Sequence, residues 1–549
     1  MSPRGVGPPR GATGPQRLPE EVTLEIQLDD PQDRDALRQR VARQLGVEVE
    51  QLPGIVLRKR SLDCRRGRVR LHLLFELGAV AREGAFGFGI ADRAQLAAPH
   101  PVEVRGAPPV VIVGDGPCGL FCAYQLARAG VASVVVDRGK PVQPRRRDLK
   151  GLTRHGSVDA DSNYCFGEGG AGTYSDGKLY TRAHKRGDVR DVLEILTLSG
   201  APEEILVEAR PHIGSNRLPE VVTALRERLE AVGVQFRFGA RVTQVSRAPS
   251  GRVAAVELLG GELIEASEVV LATGHSARDI YQMLHDAGHR LEPKAFAIGL
   301  RIEHPQGLIN RIQYGALASH PALPSAAYKL VDSRGSSPVF SFCMCPGGFI
   351  VPATTEPGQV VVNGMSPSSR NSRYANSGMV VGVEPAALAA IGLTGPLAGL
   401  ELQRRIERAT FDAGGGALRA PATRVTDFLA SRASSTAPAS SYQPGLEPGD
   451  VGAVIDSAGL SFAAALRESL AHFGRSLHGY VTEEAVLVAV ESRTSAPVRV
   501  PRDPETLQSL DWPGLYPGGE GAGYAGGIVS AAVDGMRIAR AIVRAREHA

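Results

Sequence analysis

The sequence has little cysteine, little net charge and no long apolar run, and each shortage excludes a class of protein. The 6 cysteines include no Cys-x-x-Cys pair, which argues against a disulfide framework or a zinc ribbon, so we expect a reducing, cytoplasmic location and no metal site. No run of about 18 apolar residues is free of glycine, proline and charge, which excludes a membrane-spanning segment. The formal net charge of +4 is too small to attract nucleic acid over the whole surface.

What the chain does have is length and glycine. Its 549 residues are enough for three or four structural units. The 64 glycines and 38 prolines stay below the fraction that marks disordered chains, so many glycines must serve turns or close backbone approaches. Residues 1–21 are different, because they are basic and rich in glycine and proline and lack the apolar core of a secretory signal. We expect a disordered tail there, with a transit peptide as the alternative.

Residues 22–100 predict a small α+β domain of ferredoxin-like type. Apolar residues alternate over 22–28, recur at helical spacing over 37–45 and alternate again over 69–77, and residues 55–62 supply a further strand. The resulting order is β-α-β-β. A basic cluster lies around the second of these strands, and its members are Arg58, Lys59, Arg60, Arg65, Arg66 and Arg68. We interpret it as a solvated charged face, the alternative being a site for an anionic partner such as RNA.

A phosphate-binding glycine motif opens the main domain. Residues 110–113 form a continuous apolar strand, followed by the string Gly-Asp-Gly-Pro-Cys-Gly and a helix. In this motif Gly114 makes the tight turn, Gly116 lets the backbone reach a pyrophosphate, and Gly119 lets helix and strand pack closely. A second apolar strand ends at Asp137, about 20 residues further on, where a carboxylate can accept both ribose hydroxyls. These features together predict a dinucleotide site.

Two later segments decide which dinucleotide is bound. Residues 269–274 are an apolar strand ending in Ala-Thr-Gly, which resembles the corresponding strand of FAD enzymes of glutathione-reductase type. Residues 515–527 are rich in glycine and lead into a helix, and they resemble the distal flavin-binding segment of those enzymes, with Glu520 where many have Asp. The start of that helix can face the flavin edge on which negative charge accumulates during reduction. The sequence therefore predicts FAD.

The segment 163–182 holds five glycines interleaved with Cys, Glu, Asp and Lys, which suits a chain folded against a large planar ligand. Its string Phe-Gly-Glu-Gly-Gly-Ala-Gly-Thr-x-Ser-Asp-Gly-Lys, residues 166–178, resembles the hallmark of a family of FAD-dependent dehydrogenases found in bacteria and plastids. Further matching strings lie at 342–348, 363–366, 491–494 and 519–527. The resemblance covers nearly all of residues 22–549, and it implies bound FAD without implying a substrate. Asp137 departs from this pattern, since the family more often has Glu there.

The resemblance implies an α/β fold: a glutathione-reductase-type FAD-binding Rossmann domain with an inserted α+β substrate domain, beside the small ferredoxin-like domain. We place the FAD-binding domain at 108–294 and 491–549, and the substrate domain at 295–490, with an exposed Ser/Pro-rich loop or lid at 431–450. The residues predicted to bind FAD are Gly114, Gly116, Pro117, Gly119, Asp137, Arg138, Gly169, Gly170, Ser175, Val242, Thr273, Gly274, Gly519, Glu520, Gly526, Gly527 and Ile528.

Lys178, Asp176 and His275 are the catalytic candidates. Lys178 and Asp176 can polarise the flavin or the substrate, or they can simply pair with each other. His275 and His212 are possible bases, with hydrogen-bonded structural roles as the alternative.

Other residues carry open alternatives. Glu168 has the same ambiguity as Lys178 and Asp176. Arg301 can hold an anionic substrate or lie on a strand face. We interpret residues 145–147 as a solvated loop, with a phosphate contact as the alternative. Cys343 and Cys345 do not resemble a flavin–disulfide pair, because a Cys-x-Cys disulfide is strained. Cys118 and Cys122 are one helical turn apart and are expected to pack against the sheet, which leaves Cys165 as the candidate for reactivity.

The sequence thus predicts an FAD-dependent oxidoreductase, a dehydrogenase that transfers hydride between a small organic substrate and flavin N5. No second GxGxxG follows a strand, so NAD(P)H or another electron donor or acceptor is expected to act without a nucleotide domain of its own. The alternatives are an FAD-dependent monooxygenase and a flavoprotein that binds or modifies RNA.

Overall fold

The computed structural model describes residues 18–64, 69–78, 81–82, 89–91, 99–102, 108–181 and 187–548. The chain divides into two compact units, and the first comprises Met1–Ala94 together with Leu206–Ala209. Most of the predicted tail, residues 1–17, lies outside the described residues, as do Arg65, Arg66 and Arg68 of the predicted basic cluster.

The first unit is built on a sheet with the strand order β1-β3-β2-β5-β4. Its elements are β1 Glu21–Ile26, α1 Arg34–Leu45, β2 Ile55–Asp63, β3 Arg70–Leu77, β4 Ala81–Arg82 and β5 Gly89–Ala91. Strands β1 and β2 both pair antiparallel with β3, so α1 connects two parallel strands that have a third strand between them. The β-α-β-β order expected from the sequence is present. The second helix of a β-α-β-β-α-β pattern does not occur in the described part of this unit, and the ferredoxin-like assignment stays a prediction.

Local signals explain the elements of this unit. Strand β1 alternates exposed and buried residues, as its sequence does. The Asp33 side chain accepts a hydrogen bond from the Ala36 N–H at 2.9 Å and so caps the start of α1. Gly46 ends the helix in the left-handed region, with φ at 70°. Among the basic residues, Arg58 forms an ion pair with Glu76.

The second unit begins with alternating strands and helices. Its first elements are β6 Val110–Val113, α2 Pro117–Arg128, β7 Ser133–Asp137, α3 Val142–His155, α4 Val189–Leu198, α5 Leu218–Ala231, β8 Gln235–Phe238, β9 Val242–Arg247, β10 Val253–Leu258, β11 Leu263–Glu265, β12 Val269–Leu271 and α6 Arg278–Asp286. The chain continues with β13 Glu292–Pro293, β14 Phe296–Pro305, α7 Gln306–Tyr314, β15 Val331–Asp332, β16 Val339–Pro352, β17 Val362–Met365, β18 Tyr374–Val383, α8 Pro385–Ala390, α9 Ala398–Ala413, β19 Ala420–Arg424, α10 Val425–Leu429, β20 Leu446–Pro448, α11 Val451–Asp456, α12 Phe462–Ser476, β21 Val486–Glu491, β22 Val498–Arg499, β23 Leu515–Pro517 and α13 Ile528–Glu547.

A five-stranded parallel sheet with the order β23-β12-β6-β7-β8 joins segments from distant parts of the chain. All four residues of β6 are buried, as expected for a central strand of a parallel sheet, and Val111 and Val113 belong to a hydrophobic cluster that includes residues of β9 and β10. Helix α13 packs against α2. Gly535 permits their close approach, because an added Cβ would overlap the Cys118 carbonyl and lie 3.1 Å from the Cys122 N atom. Cys118 and Cys122 are buried, as predicted, and they lie between the two helices.

A second, largely antiparallel sheet follows the order β15-β16-β18-β14-β21-β19-β20, with β17 paired to β16. The predicted lid at 431–450 packs against it. This segment is irregular, as expected, but Tyr442 is buried and its hydroxyl donates to the Leu418 carbonyl at 2.7 Å. The Ser441 Oγ accepts from the Ile350 N–H at 2.9 Å. These two side chains fix the loop to the sheet, whereas residues 431–433, 435, 436, 439 and 443 are exposed, so the prediction of exposure holds for only part of the segment.

Among the described helices, none has both the length and the apolar content needed to cross a bilayer.

Candidate functional site

The predicted glycine turn connects β6 to α2, and each glycine has a distinct environment. Gly114 has φ at 98°, and an added Cβ would lie 2.5 Å from the Ala272 carbonyl O. At Gly119 an added Cβ would overlap the Gly114 carbonyl oxygen. At Gly116 it would meet nothing within 4 Å. The first two glycines therefore allow the turn itself, whereas Gly116 borders open space.

That open space suits a pyrophosphate. Helix α2 begins at Pro117 without a side-chain cap, so its first N–H groups and its positive end are available to an anion. Asp115 lies beside them, fully buried, and in the described structure its Oδ2 atom has no hydrogen-bond partner. Burial and then the charge of Asp137 raise the pKa of Asp115 well above its usual value, which favours a neutral carboxyl able to donate. We did not single out this residue from the sequence, although an acidic residue inside the glycine motif is itself a signal.

Asp137 ends β7 as predicted and is almost completely buried. Its Oδ1 atom accepts from the backbone N–H groups of Gly139 at 2.8 Å and Gly167 at 3.0 Å. Arg138 lies over the Phe166 ring, with 4.5 Å between the guanidinium carbon and the ring centroid, and pairs with Asp279 at 2.9 Å. A small cavity adjoins these side chains. The predicted FAD-binding residues that line it are Gly114, Asp137, Arg138, Val242 and Thr273.

A second, larger cavity of about 400 Å³ shares Arg138 and Phe166 with the first. Its lining also includes Arg278, which is buried and pairs with Glu407 at 2.8 Å. Arg493 pairs with the same carboxylate at 2.9 Å. Although burial disfavours the charged form, the two arginines lower the pKa of Glu407 to about 2. This buried ion network escaped the sequence analysis because its members are far apart in the chain.

The glycine-rich segment folds over the turn at Gly116. Gly170 faces it, since an added Cβ at Gly170 would lie 3.1 Å from the Gly116 Cα. Gly169 has φ at 76°, and its N–H donates to Asp115. The Ser175 Oγ donates to the Gly172 carbonyl at 2.7 Å.

Arg145 holds the glycine-rich segment through hydrogen bonds to its backbone. Its guanidinium is completely buried and donates to the carbonyls of Asn163 at 2.8 Å, Glu168 at 2.8 Å and Gly170 at 2.9 Å. The prediction of a solvated loop at residues 145–147 was wrong about the loop, because all three lie in α3, and wrong about Arg145, which is buried; Arg146 and Arg147 are exposed, as expected. Glu168 is structural as well, since it accepts from the Val142 N–H at 2.6 Å and pairs with an arginine.

The C-terminal glycine segment reaches the same place. An added Cβ at Gly172 would lie 3.5 Å from the Pro117 ring and 3.6 Å from Ile528, the first residue of α13. Gly527 is the N-cap of this helix. The three segments predicted to hold the cofactor thus meet at the N-terminal ends of α2 and α13.

The residues that precede α13 in this C-terminal segment pack closely against Gly274 and Cys118. At Gly521 an added Cβ would lie 2.7 Å from the Gly274 carbonyl O, and at Gly519 it would lie 3.0 Å from the Cys118 Cβ. The Glu520 carboxylate accepts from the Ala496 N–H at 3.1 Å and borders Gly526. Burial raises the pKa of Glu520 to about 7.

Of the catalytic candidates, Lys178 and Asp176 form an ion pair at 3.1 Å. Arg370 pairs with the same carboxylate at 2.7 Å. Burial would raise the pKa of Asp176, but the charges of Lys178 and Arg370 outweigh it and lower that pKa. Asp176 is thus held as an anion, poorly suited to accept a proton. Lys178 also lies near two cysteine thiols, Cys343 and Cys345, which sequence reasoning had set aside.

The two histidines are held by neighbouring groups. The Nδ1 atom of His275 lies 2.9 Å from the Ser276 Oγ, and burial, with the charges of Arg493 and Arg278, lowers the pKa of His275 to about 4. His212 contacts the Ser368 carbonyl through Nε2 at 3.1 Å. Arg301 is buried and pairs with Glu491, so its guanidinium is directed at the protein rather than at a substrate.

Comparison with known proteins agrees with this geometry. Residues 108–153 match a family model described as "FAD binding domain", residues 215–322 match "FAD dependent oxidoreductase", and residues 295–494 match "FAD-dependent protein, C-terminal domain-like". Residues 18–77 match a "Domain of unknown function (DUF8436)". The matched models and the α/β fold define a FAD-dependent oxidoreductase, and FAD is its cofactor.

A protein of Clostridium beijerinckii, described as "Uncharacterized protein", is 37% identical over 534 residues, which are 95% of this chain and 97% of that protein. The chain therefore belongs to the same family of FAD-dependent oxidoreductases as this clostridial protein. The flavin-dependent monooxygenase pboD of Aspergillus ustus is 29% identical over 178 residues, 32% of this chain and 33% of that enzyme.

Solved structures also show similarity to this chain, at low sequence identity. A flavoprotein/dehydrogenase from Cytophaga hutchinsonii has 12% identity and a TM-score of 0.34, covering 80% of this chain and 79% of that chain. A geranylgeranyl bacteriochlorophyll reductase-like protein from Thermoplasma acidophilum has 13% identity and a TM-score of 0.34, with the same coverage of each chain.

Proposed function

We propose that this oxidoreductase is a dehydrogenase that exchanges a hydride between FAD and a small organic substrate. The observation that carries the proposal is the meeting of Gly116, Gly170 and Ile528 at two helix N-termini, with the Lys178 ammonium at the far end of the same glycine-rich segment. We propose the seventeen predicted residues as FAD contacts on this basis. When bound, FAD supplies the hydride acceptor or donor at N5.

The side chains around the site take distinct roles in this proposal. Lys178 provides a fixed positive charge, because Asp176 holds its ammonium at 3.1 Å. Such a charge stabilises negative charge that develops on the substrate or the cofactor during two-electron transfer. His275, with a pKa of about 4, is neutral at pH 7, so it is not the general acid.

Asp115 is proposed to donate to a phosphate oxygen through its protonated carboxyl, since its buried Oδ2 has no other partner among the described residues. Pro117 and Gly119 then position the first turn of α2 against the pyrophosphate. The remaining finer assignments are also proposals: a glutathione-reductase-type FAD domain at 108–294 and 491–549, a substrate domain at 295–490, a ferredoxin-like domain at 22–100 and a cytoplasmic location.

The test is anaerobic reduction of the FAD-containing protein by a panel of organic substrates and by NADH and NADPH, followed by a scan of electron acceptors and oxygen. A dehydrogenase is reduced by an organic substrate without oxygen and passes its electrons to an acceptor. If no organic substrate reduces the cofactor without oxygen, and NAD(P)H oxidation by oxygen requires an added organic substrate, the function is monooxygenation instead. That second function is favoured by the similarity to the Aspergillus monooxygenase.

The role of Lys178 is tested by redox titration of the wild type and of Lys178→Ala. Loss of the cation should shift the FAD potential in the negative direction, because the anionic reduced form loses stabilisation. Lys140→Ala is the matched control, since Lys140 is a partly exposed lysine that also pairs with an aspartate, Asp148 at 2.9 Å. If both variants keep the wild-type potential and reduction rate, Lys178 is a structural residue of the turn.

A further inference from the structure

Two thiols and a lysine meet between the glycine-rich segment and strand β16. The Lys178 Nζ atom lies 3.8 Å from the Cys343 Sγ and 3.7 Å from the Cys345 Sγ. Arg301 contacts the same two residues, since its Nη2 donates to the Cys343 carbonyl at 2.8 Å and lies 3.9 Å from the Cys345 Sγ. The hydride transfer proposed above uses neither thiol.

The backbone of β16 is distorted where it presents these thiols. Its pairing with β18 shifts in register between Phe342 and Cys345, which marks a bulge. Cys343 has φ at 44°, in the left-handed region that residues other than glycine rarely adopt. The distortion brings the Cys345 Sγ to 3.2 Å from the Cys343 carbonyl O while both thiols stay within reach of one ammonium.

The charges around the thiols do not balance without a thiolate. Lys178 and Arg370 share one carboxylate, Asp176, and Arg301 pairs with Glu491. Three cations therefore face two carboxylates, and burial raises the pKa of Glu491 to about 7, so that residue is not always charged. One thiolate supplies the missing negative charge, whereas a second would introduce repulsion between neighbouring sulfurs.

The two thiols are not equivalent. Cys343 is partly exposed and Cys345 is buried. The interaction with the neighbouring Cys345 thiol, together with the charges of Lys178 and Arg301, outweighs burial and lowers the pKa of Cys343 well below its ordinary value. The interaction with Cys343, together with burial, raises the pKa of Cys345. The other titratable groups nearby are Tyr328, which burial keeps protonated with a pKa of about 12, and His212, whose pKa is lowered by burial. At neutral pH these two groups are uncharged.

We propose that Cys343 and Cys345 form a dithiol site that reduces small disulfides, with Cys343 as the nucleophile and Cys345 as the resolving thiol. The proposal goes beyond hydride transfer and does not depend on it, because its chemistry involves only the two sulfurs and the disulfide. Lys178 is a positioning residue here, since it holds the attacking sulfur as a thiolate.

The reaction has two exchange steps. The Cys343 thiolate attacks one sulfur of the substrate, a new S–S bond forms, the substrate S–S bond breaks, and one substrate thiolate leaves and takes up a proton from water. Cys345 then loses its proton to solvent and attacks the Cys343 sulfur, and the second substrate thiolate leaves. The protein dithiol is oxidised to a disulfide by two electrons, and the substrate is reduced to two thiols. Excess small thiol reverses both steps and regenerates the protein dithiol. The strain of a Cys-x-Cys disulfide favours this reduction.

The test uses the full-length, FAD-containing protein, reduced and desalted, with dithiobis-nitrobenzoate as the disulfide probe. The wild type should release two coloured thiolates per chain in a fast phase and end with a Cys343–Cys345 disulfide in the peptide map. Cys345→Ser should release one and retain a mixed disulfide on Cys343. Cys343→Ser should lose the fast phase, while Cys165→Ser, at another partly exposed cysteine, should keep it.

The charge argument is tested by Lys178→Met, with Lys140→Met as control. Loss of the ammonium should raise the pKa of Cys343. For each unit by which this pKa rises above 7, the fast phase at pH 7 should slow by about three- to fourfold, because the fraction of thiolate falls while the remaining thiolate becomes more nucleophilic. A fast phase that survives in Cys343→Ser, or a stable mixed disulfide on wild-type Cys343, would overturn the proposal. If Cys343→Ser fails to retain FAD, limiting iodoacetamide on the wild type decides: alkylation must occur first at Cys343.

Discussion

The glycine turn offers a matched pair of substitutions that separate folding from cofactor binding. Gly119→Ala places a methyl group against the Gly114 carbonyl oxygen and 3.2 Å from the Ile112 Cγ2. Gly116→Ala places the same methyl group in space that is open for at least 4 Å. The two changes are chemically identical and three residues apart. They differ in what the added methyl group meets and in backbone position, since Gly116 is the N-cap of α2 and Gly119 lies within the helix.

The structure sets different magnitudes for the two variants. At Gly119 the obstacle is backbone, which cannot rotate away, so the penalty belongs at the upper end of the usual overpacking cost, about 3 kcal/mol. At Gly116 the φ of −68° suits alanine, and the loss of a glycine N-cap is partly offset by the lower entropy of the unfolded chain. We expect the stability of FAD-free Gly116→Ala to stay within about 1 kcal/mol of the wild type.

The assay is urea unfolding of both variants and the wild type, each without FAD and with added FAD. FAD at about a hundred times its Kd stabilises the wild type by about 2.7 kcal/mol. Gly116→Ala should lose most of that increment while keeping its FAD-free stability, and Gly119→Ala should be less stable even without FAD. Full FAD stabilisation of Gly116→Ala would show that the pyrophosphate does not occupy this space. Wild-type stability of FAD-free Gly119→Ala would refute the close packing of turn and helix.

Three further outcomes are expected. Arg145→Met removes the Arg145 donors from the carbonyls of Asn163, Glu168 and Gly170, although the Glu168 carbonyl keeps another donor, the Thr173 hydroxyl at 2.7 Å, so its free energy of unfolding should fall by about 3 kcal/mol, and an unchanged urea midpoint would contradict this role. The folded-state pKa of Glu407, about 2, lies below the unfolded value, so its stabilisation exists above about pH 4.5 and is lost as the pH falls toward 2. The difference in Tm between wild type and Glu407→Gln should therefore shrink over that range, and a constant difference would exclude the linkage. Glu520→Lys replaces a buried acceptor by a cation and should lower the FAD content of the purified protein, and full FAD content would show that the C-terminal segment lies elsewhere.

Local sequence signals predicted the elements that frame the cofactor. The spacing of Gly114, Gly116 and Gly119 identified a strand, a turn and a helix, because all three requirements act within a few residues of each other. The alternation in β1 and the cap at Asp33 are equally local. The family models matched to these regions confirm FAD as the cofactor.

Sequence reasoning failed where distant segments decide the environment of a side chain. The sequence predicted that Arg145 is exposed to solvent, yet it is buried, because carbonyls of residues 163–170 accept its hydrogen bonds. The sequence predicted an exposed loop or lid at residues 431–450, yet the Tyr442 hydroxyl in this segment donates a hydrogen bond to the Leu418 carbonyl. A polar side chain can be buried when distant backbone supplies its hydrogen bonds, and no local pattern records those partners.

Local sequence patterns established the phosphate-binding turn, the three glycine segments and the apolar strands at 110–113, 133–137 and 269–271, since backbone freedom and apolar periodicity act over short distances. The order of the strands in the sheet came from the tertiary structure. Only the tertiary structure decided that Lys178 faces Cys343 and Cys345 and that Asp115 is buried beside the helix end. The thiol pair was set aside because a Cys-x-Cys disulfide is strained, and that argument takes no account of the charges around the sulfurs. Its chemistry depends on cations brought from residues 178, 301 and 370, and electrostatic interactions are governed by distance in space, which folding alone sets.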